Sequence, residues 1–496
     1  MIRAILERPV DQRWLTATLA GWLGTDLVLL WHFLGRATAG SDAIGLMIVI
    51  TIVVMIVRTT PGGGVSFGTV LLSLAIAAIL LALGGEGRLA YATRDWMVRD
   101  AVLRDMALHG WPFAYTARGV AEILRCPLVM YLVPALVMKA AGQAAGDIAL
   151  LIQNTVLLAI VFALGSRLFD TARTRGIAIC TFVMFSGLDA IGASLAGNSR
   201  PWVFADHLEW WAAPLQYSSQ ITQLFWVPQH ALAGWICAIG YLSWHDRRLP
   251  LGVFLGLVPL TILWSPLAAV GALPFATIAM VQTMRRRTLL LSDIITPGLA
   301  TVLAVPALAY LGASGATVGA NVTGVTIANY VTFELLEVLP FVVPLALGAS
   351  VNRFGRISFC VVVVMLVLLP FAQVGWSSDL MMRSSIPALA ILAVMTAHAV
   401  TTDARHDMRV LLVIALLIGS LTGLHEIMRA LTWPVSPPPR CTFFRAWGPS
   451  PPGHKSTYLA PVAALPPFVR AARYSLVSRA EPARCWARPW PQPRGI

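Results

Sequence analysis

From Trp14 to about residue 424 the chain alternates long apolar runs with short polar breaks. The runs fall near 14–34, 43–56, 66–83, 147–165, 177–193, 228–244, 251–264, 266–283, 294–312, 330–349, 357–373, 386–401 and 409–424. A helix of about 20 apolar residues crosses the hydrocarbon core, and only helices or closed barrels satisfy their backbone there. The period-2 alternation of a membrane barrel is absent from the sequence, so the pattern predicts an all-α polytopic membrane protein with about thirteen crossings. One more apolar run, Cys126 to Gly142, is short and carries Pro127 and Pro134. It reads as an interfacial or re-entrant helix.

The longest early break runs from Gly85 to Cys126 and is rich in Asp and Arg. On a helix, Asp95/Arg99, Asp100/Arg104 and Asp105/His109 are i,i+4 pairs in the favourable order. Five-residue spacing turns successive carboxylates by about 140°, so the three cannot share one face. Either the segment is a solvated helix laced with ion pairs, or one or two of its acids turn into a site. The expected division is a transmembrane domain over 1–430, with 85–142 as juxtamembrane loop and interfacial helix, and a tail over 431–496.

Composition agrees with the pattern. Hydrophobic residues make up 57% of the 496 residues and charged ones 12%, against about 25% charged in soluble domains. The net charge of +13 does not point to nucleic acid, because most Arg residues lie in short loops where they set topology. Arg167, Arg173 and Arg175, Arg247 and Arg248, Arg285 to Arg287, Arg353 and Arg356, and Arg405 and Arg409 fall in alternate loops. Those loops and the N-terminus are expected in the cytoplasm of a bacterial inner membrane, with the 85–125 loop and the tail in the periplasm. The first run is longer than a signal-peptide core of about 7–15 residues and reads as a retained anchor. The tail is rich in Pro, Arg and Trp, without apolar periodicity, and is expected to be an extended appendage or, at its very end, poorly ordered. It holds Cys441 and Cys485, which an oxidising compartment would allow to pair. Cys180, Cys237 and Cys360 read as packing residues, and no Cys/His spacing suggests a metal site.

Polar residues gather on the predicted outer face. The densest group is Asp206, His207, Glu209, Trp210 and Trp211, followed by Gln216, Tyr217, Ser218, Gln220, Gln223, Trp226 and His230. Aromatic faces beside amides and acids suit a sugar, whose CH groups stack while its hydroxyls pair. His207 and Glu209 are also conceivable metal ligands, so a divalent ion stays open as a cofactor. Asp189 ends an apolar run, where a carboxylate needs water, a partner or a use. Trp376, Asp379 and Arg383 form a further group; Arg383 suits a phosphate or pairs with Asp379. Glu334, Glu337, Asp26 and His32 are ionisable groups within or beside spans.

The stretches RDWMVRDAVLRDMALHGWPFAY, CPLVMYLVPALVMKAAG, SRLFDTARTR, FVMFSGLDAIG and LGVFLGLVPLTILWSPLAAVGALPF follow one another over about residues 66–285. In that order they resemble the GT-C superfamily of membrane glycosyltransferases. The chain also resembles bacterial polytopic proteins without an assigned substrate that carry DW…LRD, SGLD and WVPQHALAGW stretches. It departs from the superfamily layout in having two extra spans before the Asp loop and no DxD. The resemblance implies a polyprenyl-phosphate-linked sugar donor and transfer to a glycan, lipid or protein acceptor on the periplasmic face. It implies Asp95 as general base, with Asp100 or Asp105 in reserve, and Asp189 as second acid. Arg99, His230 and Arg383 would hold phosphate; His207, Glu209, Trp210, Tyr217 and Gln220 would meet sugar or acceptor. The competing readings are a transporter or lipid-linked sugar flippase, whose polar residues belong near the midplane, and a noncatalytic envelope-assembly factor.

Overall fold

The computed structural model describes residues 5–197, 207–315, 319–348, 351–374, 378–402, 405–447, 458–477 and 482–491. Asp206 and Trp376 lie outside the described residues. The chain is mostly helical, at 69%.

The long helices start where the sequence can cap them. A Thr38–Ser41 capping box opens α2 (Ala39–Thr59), after α1 (Gln12–Phe33), and Ser66 caps α3 (Phe67–Leu83). The polar loop then folds as a helix, α4 (Asp95–Leu108). Next come α5 (Val129–Ala141), with Pro134 inside it, and α6 (Gln143–Ser166). Gly142, at φ 86°, makes the corner between α5 and α6, a conformation that costs glycine little. The run at 177–193, expected to be one span, is broken: α7 (Ala172–Val183) stops, Ser186–Leu188 turns, and α8 (Asp189–Leu195) begins anew. Gly419 explains the close approach there, since a side chain on it would collide with the Ser186 carbonyl.

After α9 (Gln220–Trp226) the helices are α10 (Pro228–His245), α11 (Leu251–Leu260), α12 (Pro266–Arg285) and α13 (Ser292–Leu311). They are followed by α14 (Ile327–Glu337), α15 (Leu339–Leu347), α16 (Arg356–Leu368), α17 (Asp379–Ser384), α18 (Ile386–Thr402) and α19 (His406–Thr432). Of these, α2, α6, α12, α13 and α19 are long and apolar enough to cross a membrane; α14 and α15, bent by 56° at the break between them, are so only when taken together. On α2 only 17% of the apolar window is buried, and Ile44, Met47, Ile50 and Val54 face outward. Water would not tolerate that surface, whereas lipid does. At the centre, α10 is buried along nearly its whole length, against α11, α12 and α18.

Short strands also occur. β1 (Pro9–Asp11) pairs with β2 (Gly64–Ser66), and β5 (Ala320–Val322) with β6 (Ala372–Val374). The described part of the tail, 431–447, 458–477 and 482–491, is neither free nor featureless. β7 (Leu459–Pro461) lies antiparallel to β4 (Glu122–Leu124), which pairs with β3 (Phe113–Tyr115), and β8 (Ser475–Val477) runs parallel to β3. The resulting sheet, ordered β7-β4-β3-β8, joins tail to loop. Cys441 and Cys485 form a disulfide, and the short helix α20 (Phe443–Ala446) packs on α4.

Candidate functional site

The predicted residues separate into two groups, with two acids left outside both. Asp100 does not pair with Arg104 along the helix. Arg88 binds it at 3.0 Å and binds Asp147 of α6 at 2.7 Å, so one guanidinium bridges two carboxylates. Burial nevertheless pushes the Asp100 carboxyl up to about 6. Asp105 is fully buried and accepts the Tyr115 hydroxyl at 2.6 Å and the Phe443 N–H at 2.7 Å. It clips the tail to α4 rather than facing a cavity.

The first group surrounds a cavity of about 290 Å³ lined by Arg125, Cys126, His230, Asp379, Arg383 and Tyr458, among others. Two long helices begin on it. Pro266 and Leu267, the first residues of α12, line it, and His230 stands in the first turn of α10. Proline at the first helical position suits both starts. The free N–H groups of those turns and their dipoles favour an anion. His230 Nδ1 lies 2.8 Å from the Ser265 hydroxyl, the N-cap of α12, which ties the two helix ends together. Arg383 reaches Asp379 at 3.2 Å, the i,i+4 pair that its spacing allows. Arg125 Nη1 donates to the Leu311 carbonyl at 3.0 Å.

Arg99 lies behind this cavity, 2% exposed, with Nη2 3.3 Å from Asp95. Its charge acts on Cys126, Tyr131, Tyr458 and His230. Asp95 is 40% exposed, and it and Asp379 both act on Tyr458. Of the residues the sequence reading placed in one site, His230 and Arg383 line this cavity, while Asp95 and Arg99 pair with each other outside its lining. Arg125 and Tyr458 were missed. Arg125 carried a signal, as a cation at the inner end of the loop beside Cys126-Pro127; Tyr458 carried none.

The second group is an inner cluster. His207 stands between two acids, with Nδ1 2.9 Å from Glu426 and Nε2 3.4 Å from Glu209. Glu209 also accepts from the Gln216 amide at 2.8 Å and the Ser219 N–H at 2.9 Å. Glu426 takes the Trp226 indole at 3.0 Å and Arg429 at 3.2 Å. Burial alone would lower the His207 pKa, but Glu209 and Glu426 outweigh it and hold the imidazole up to about 9. Asp189 accepts from Ser186 at 2.8 Å, Thr422 at 3.0 Å and Trp211 at 3.2 Å. Glu337 lies against Asp189 and over Gly187.

Trp210 stays 52% exposed, its ring 5.2 Å from His207 and 6.1 Å from Trp226. Tyr217 is buried and donates to the Leu366 carbonyl. Gln220 is buried with both amide atoms lacking a hydrogen-bond partner among the described residues. Sequence reasoning did not find Glu426 and Arg429, which lie just past the apolar run at 409–424 but inside the helix that continues to Thr432. Asp26, suspected within the first span, accepts the Trp264 indole at 3.1 Å.

The two groups meet along the chain: α9 ends at Trp226 in the inner cluster, and α10 opens two residues later with His230 at the cavity. Among the described residues, no three His, Cys, Asp or Glu side chains converge as a metal site. Compared with protein-family models, curated proteins and solved structures, the chain matches none.

Proposed function

We propose that the chain is a GT-C-type glycosyltransferase of the bacterial inner membrane. It moves a sugar from a polyprenyl-phosphate donor to an envelope glycan, lipid or protein. Counting α7 with α8 and α14 with α15 as single spans, the helices α1, α2, α3, α6, α7/α8, α10, α11, α12, α13, α14/α15, α16, α18 and α19 give thirteen crossings. The N-terminus is then cytoplasmic, and the polar loop and tail are periplasmic.

The observation that carries the reading is the cavity where two helix N-termini, Arg125, Arg383 and His230 meet, with Asp95 and its partner Arg99 close by. This is a setting for a phosphate ester. Asp95 takes the proton of the acceptor hydroxyl as that oxygen attacks the anomeric carbon. The bond from that carbon to the phosphate oxygen breaks. The lipid phosphate departs as an anion, which the cationic wall and helix ends stabilise. Trp210, half-exposed beside the polar inner cluster, offers a face on which a sugar ring stacks.

The test is turnover of a prenyl-phosphate-linked sugar by the full chain in detergent. Asp95→Asn is expected to lower kcat by about a hundredfold or more, the range of general-base loss, in protein that still unfolds cooperatively, at a lower temperature because Arg99 loses its carboxylate partner. Arg383→Gln is expected to raise KM. Full activity in both variants refutes the assignment.

One observation favours a transporter instead. Glu334, 7% exposed, stands on a span bent by 56° with neither carboxylate oxygen hydrogen-bonded among the described residues. A transporter would show no sugar transfer, but uptake into proteoliposomes that Glu334→Gln abolishes.

A further inference from the structure

The tail was expected to be an appendage, yet it reaches the cavity. Arg125 N–H donates to the Tyr458 carbonyl at 2.6 Å, just before β7 pairs with β4, and Val462 N–H reaches the Ala121 carbonyl at 2.9 Å. Tyr458 and Arg125, more than three hundred residues apart in sequence, are thus adjacent wall residues of one cavity. The Tyr458 ring stacks on Phe443 at 5.8 Å and meets Trp447 at 4.7 Å. Phe443 is held by Asp105 through its N–H, and Arg104 donates to the Cys441 carbonyl at 3.3 Å. The Cys441–Cys485 bond and the Arg440 N–H to Cys485 carbonyl bond at 2.7 Å close this part of the tail on itself. Asp379 and Arg383 line the same cavity as Tyr458.

We propose that the tail is a structural wall of the cavity, held by the Cys441–Cys485 disulfide, and that Tyr458 positions the ligand beside Arg125 and Arg383. That the ligand is a prenyl phosphate rests on the function proposed above; the wall itself does not. Phenolic hydroxyls donate well to phosphate oxygens, and the ring gives a flat apolar side for the first isoprene unit. The disulfide forms when two thiols lose two electrons and two protons to an oxidised dithiol protein of the exterior compartment. In a reducing compartment the wall stays unclipped, so the cavity is complete only where the tail is oxidised.

Cys126 makes the wall measurable without knowing the ligand. It lines the cavity, is 4% exposed, and burial pushes its thiol up to about 12, so it reacts slowly while covered. In full-length protein carrying Cys180→Ser, Cys237→Ser and Cys360→Ser, maleimide labelling of Cys126 is followed by peptide mass spectrometry. Tyr458→Ala, and separately Cys441→Ser with Cys485→Ser, are expected to speed labelling at least tenfold, while Tyr458→Phe labels like the parent. Labelling within twofold of the parent in both opened variants overturns the wall.

Binding of farnesyl phosphate to the same detergent-solubilised proteins then tests positioning. Tyr458→Phe is expected to weaken it several-fold although its wall is intact. Unchanged affinity overturns the positioning role. If the parent does not bind farnesyl phosphate at all, the prenyl-phosphate ligand, and with it the positioning role as stated, is refuted, while the labelling result stands on its own.

Discussion

The histidine clasp of the inner cluster has a signature in the pH dependence of stability. The His207 side chain is 2% exposed and faces Glu209, Glu426, the Gln216 amide and the Trp210 and Trp226 rings, with Arg429 on the same Glu426 oxygen. Its pKa rises from 6.5 to about 9 on folding. Across that window the folded state keeps a proton that the unfolded chain has lost, so stability falls as pH rises. The contribution is complete below about 6.5 and gone above about 9. At 1.36 kcal/mol per pKa unit it amounts to about 3 kcal/mol. The experiment is unfolding of the detergent-solubilised full chain between pH 6 and 10, for the parent and for His207→Gln. Subtracting the two curves cancels every group they share. The parent's advantage is expected to shrink by about 3 kcal/mol from pH 6 to pH 9.5. Loss of the proton leaves Glu426 still paired with Arg429, so the cluster weakens without coming apart. A difference that stays constant across the range would show that His207 is neutral in the folded protein, and the charge account of the cluster would fall.

Three other perturbations have defined outcomes. Arg88→Leu leaves Asp100 and Asp147 facing each other without a cation and is expected to cost about 3–5 kcal/mol; adding Asp100→Asn should recover part of the loss, read from the melting temperature. Asp105→Ala removes the carboxylate that accepts from the Tyr115 hydroxyl and the Phe443 N–H, a cost of about 2–4 kcal/mol, and limited proteolysis should then cut the tail sooner than the parent's. Gly187→Ala places a methyl against the Glu337 carboxylate and is expected to destabilise by about 1–3 kcal/mol; Glu337→Ala in the same chain should relieve it, which a double-mutant comparison of melting temperatures checks.

Helix positions were legible because apolar runs in a membrane protein are long and caps are local. Thr38, Ser66, Ser219 and Ser265 each announce a helix start within a few residues. The α4 helix was legible from the i,i+4 spacing of its acids and bases, of which Asp95 and Arg99 do pair. Partner choice was not legible. Helical spacing offered Asp100 the neighbour Arg104, but that Arg turns to the tail at the Cys441 carbonyl, and Arg88 arrives from before the helix. His207 finds Glu426 across 219 residues, a distance over which no spacing rule acts. The break at Ser186–Leu188 is hidden in an apolar run because its cause, the crossing of α19 at Gly419, lies far along the chain. The tail was illegible because its strands are three residues long, too short for an alternation to be seen.

The mixed sheet has a consequence for biogenesis. Its inner strands come from residues 113–124 and its outer strands from residues 459–477. A ribosome delivers the inner pair early, long before their partners exist. Until then β3 and β4 present unpaired edges outside the membrane, the kind of surface that invites wrong partners or proteases. Loops with such separated partners close late. A chain that stops short of the last strand would insert most of its helices and still leave the β3 edge of that hairpin uncovered. The open edge would mark the unfinished molecule for surveillance, and the covered one would certify that translation had run through the final strand.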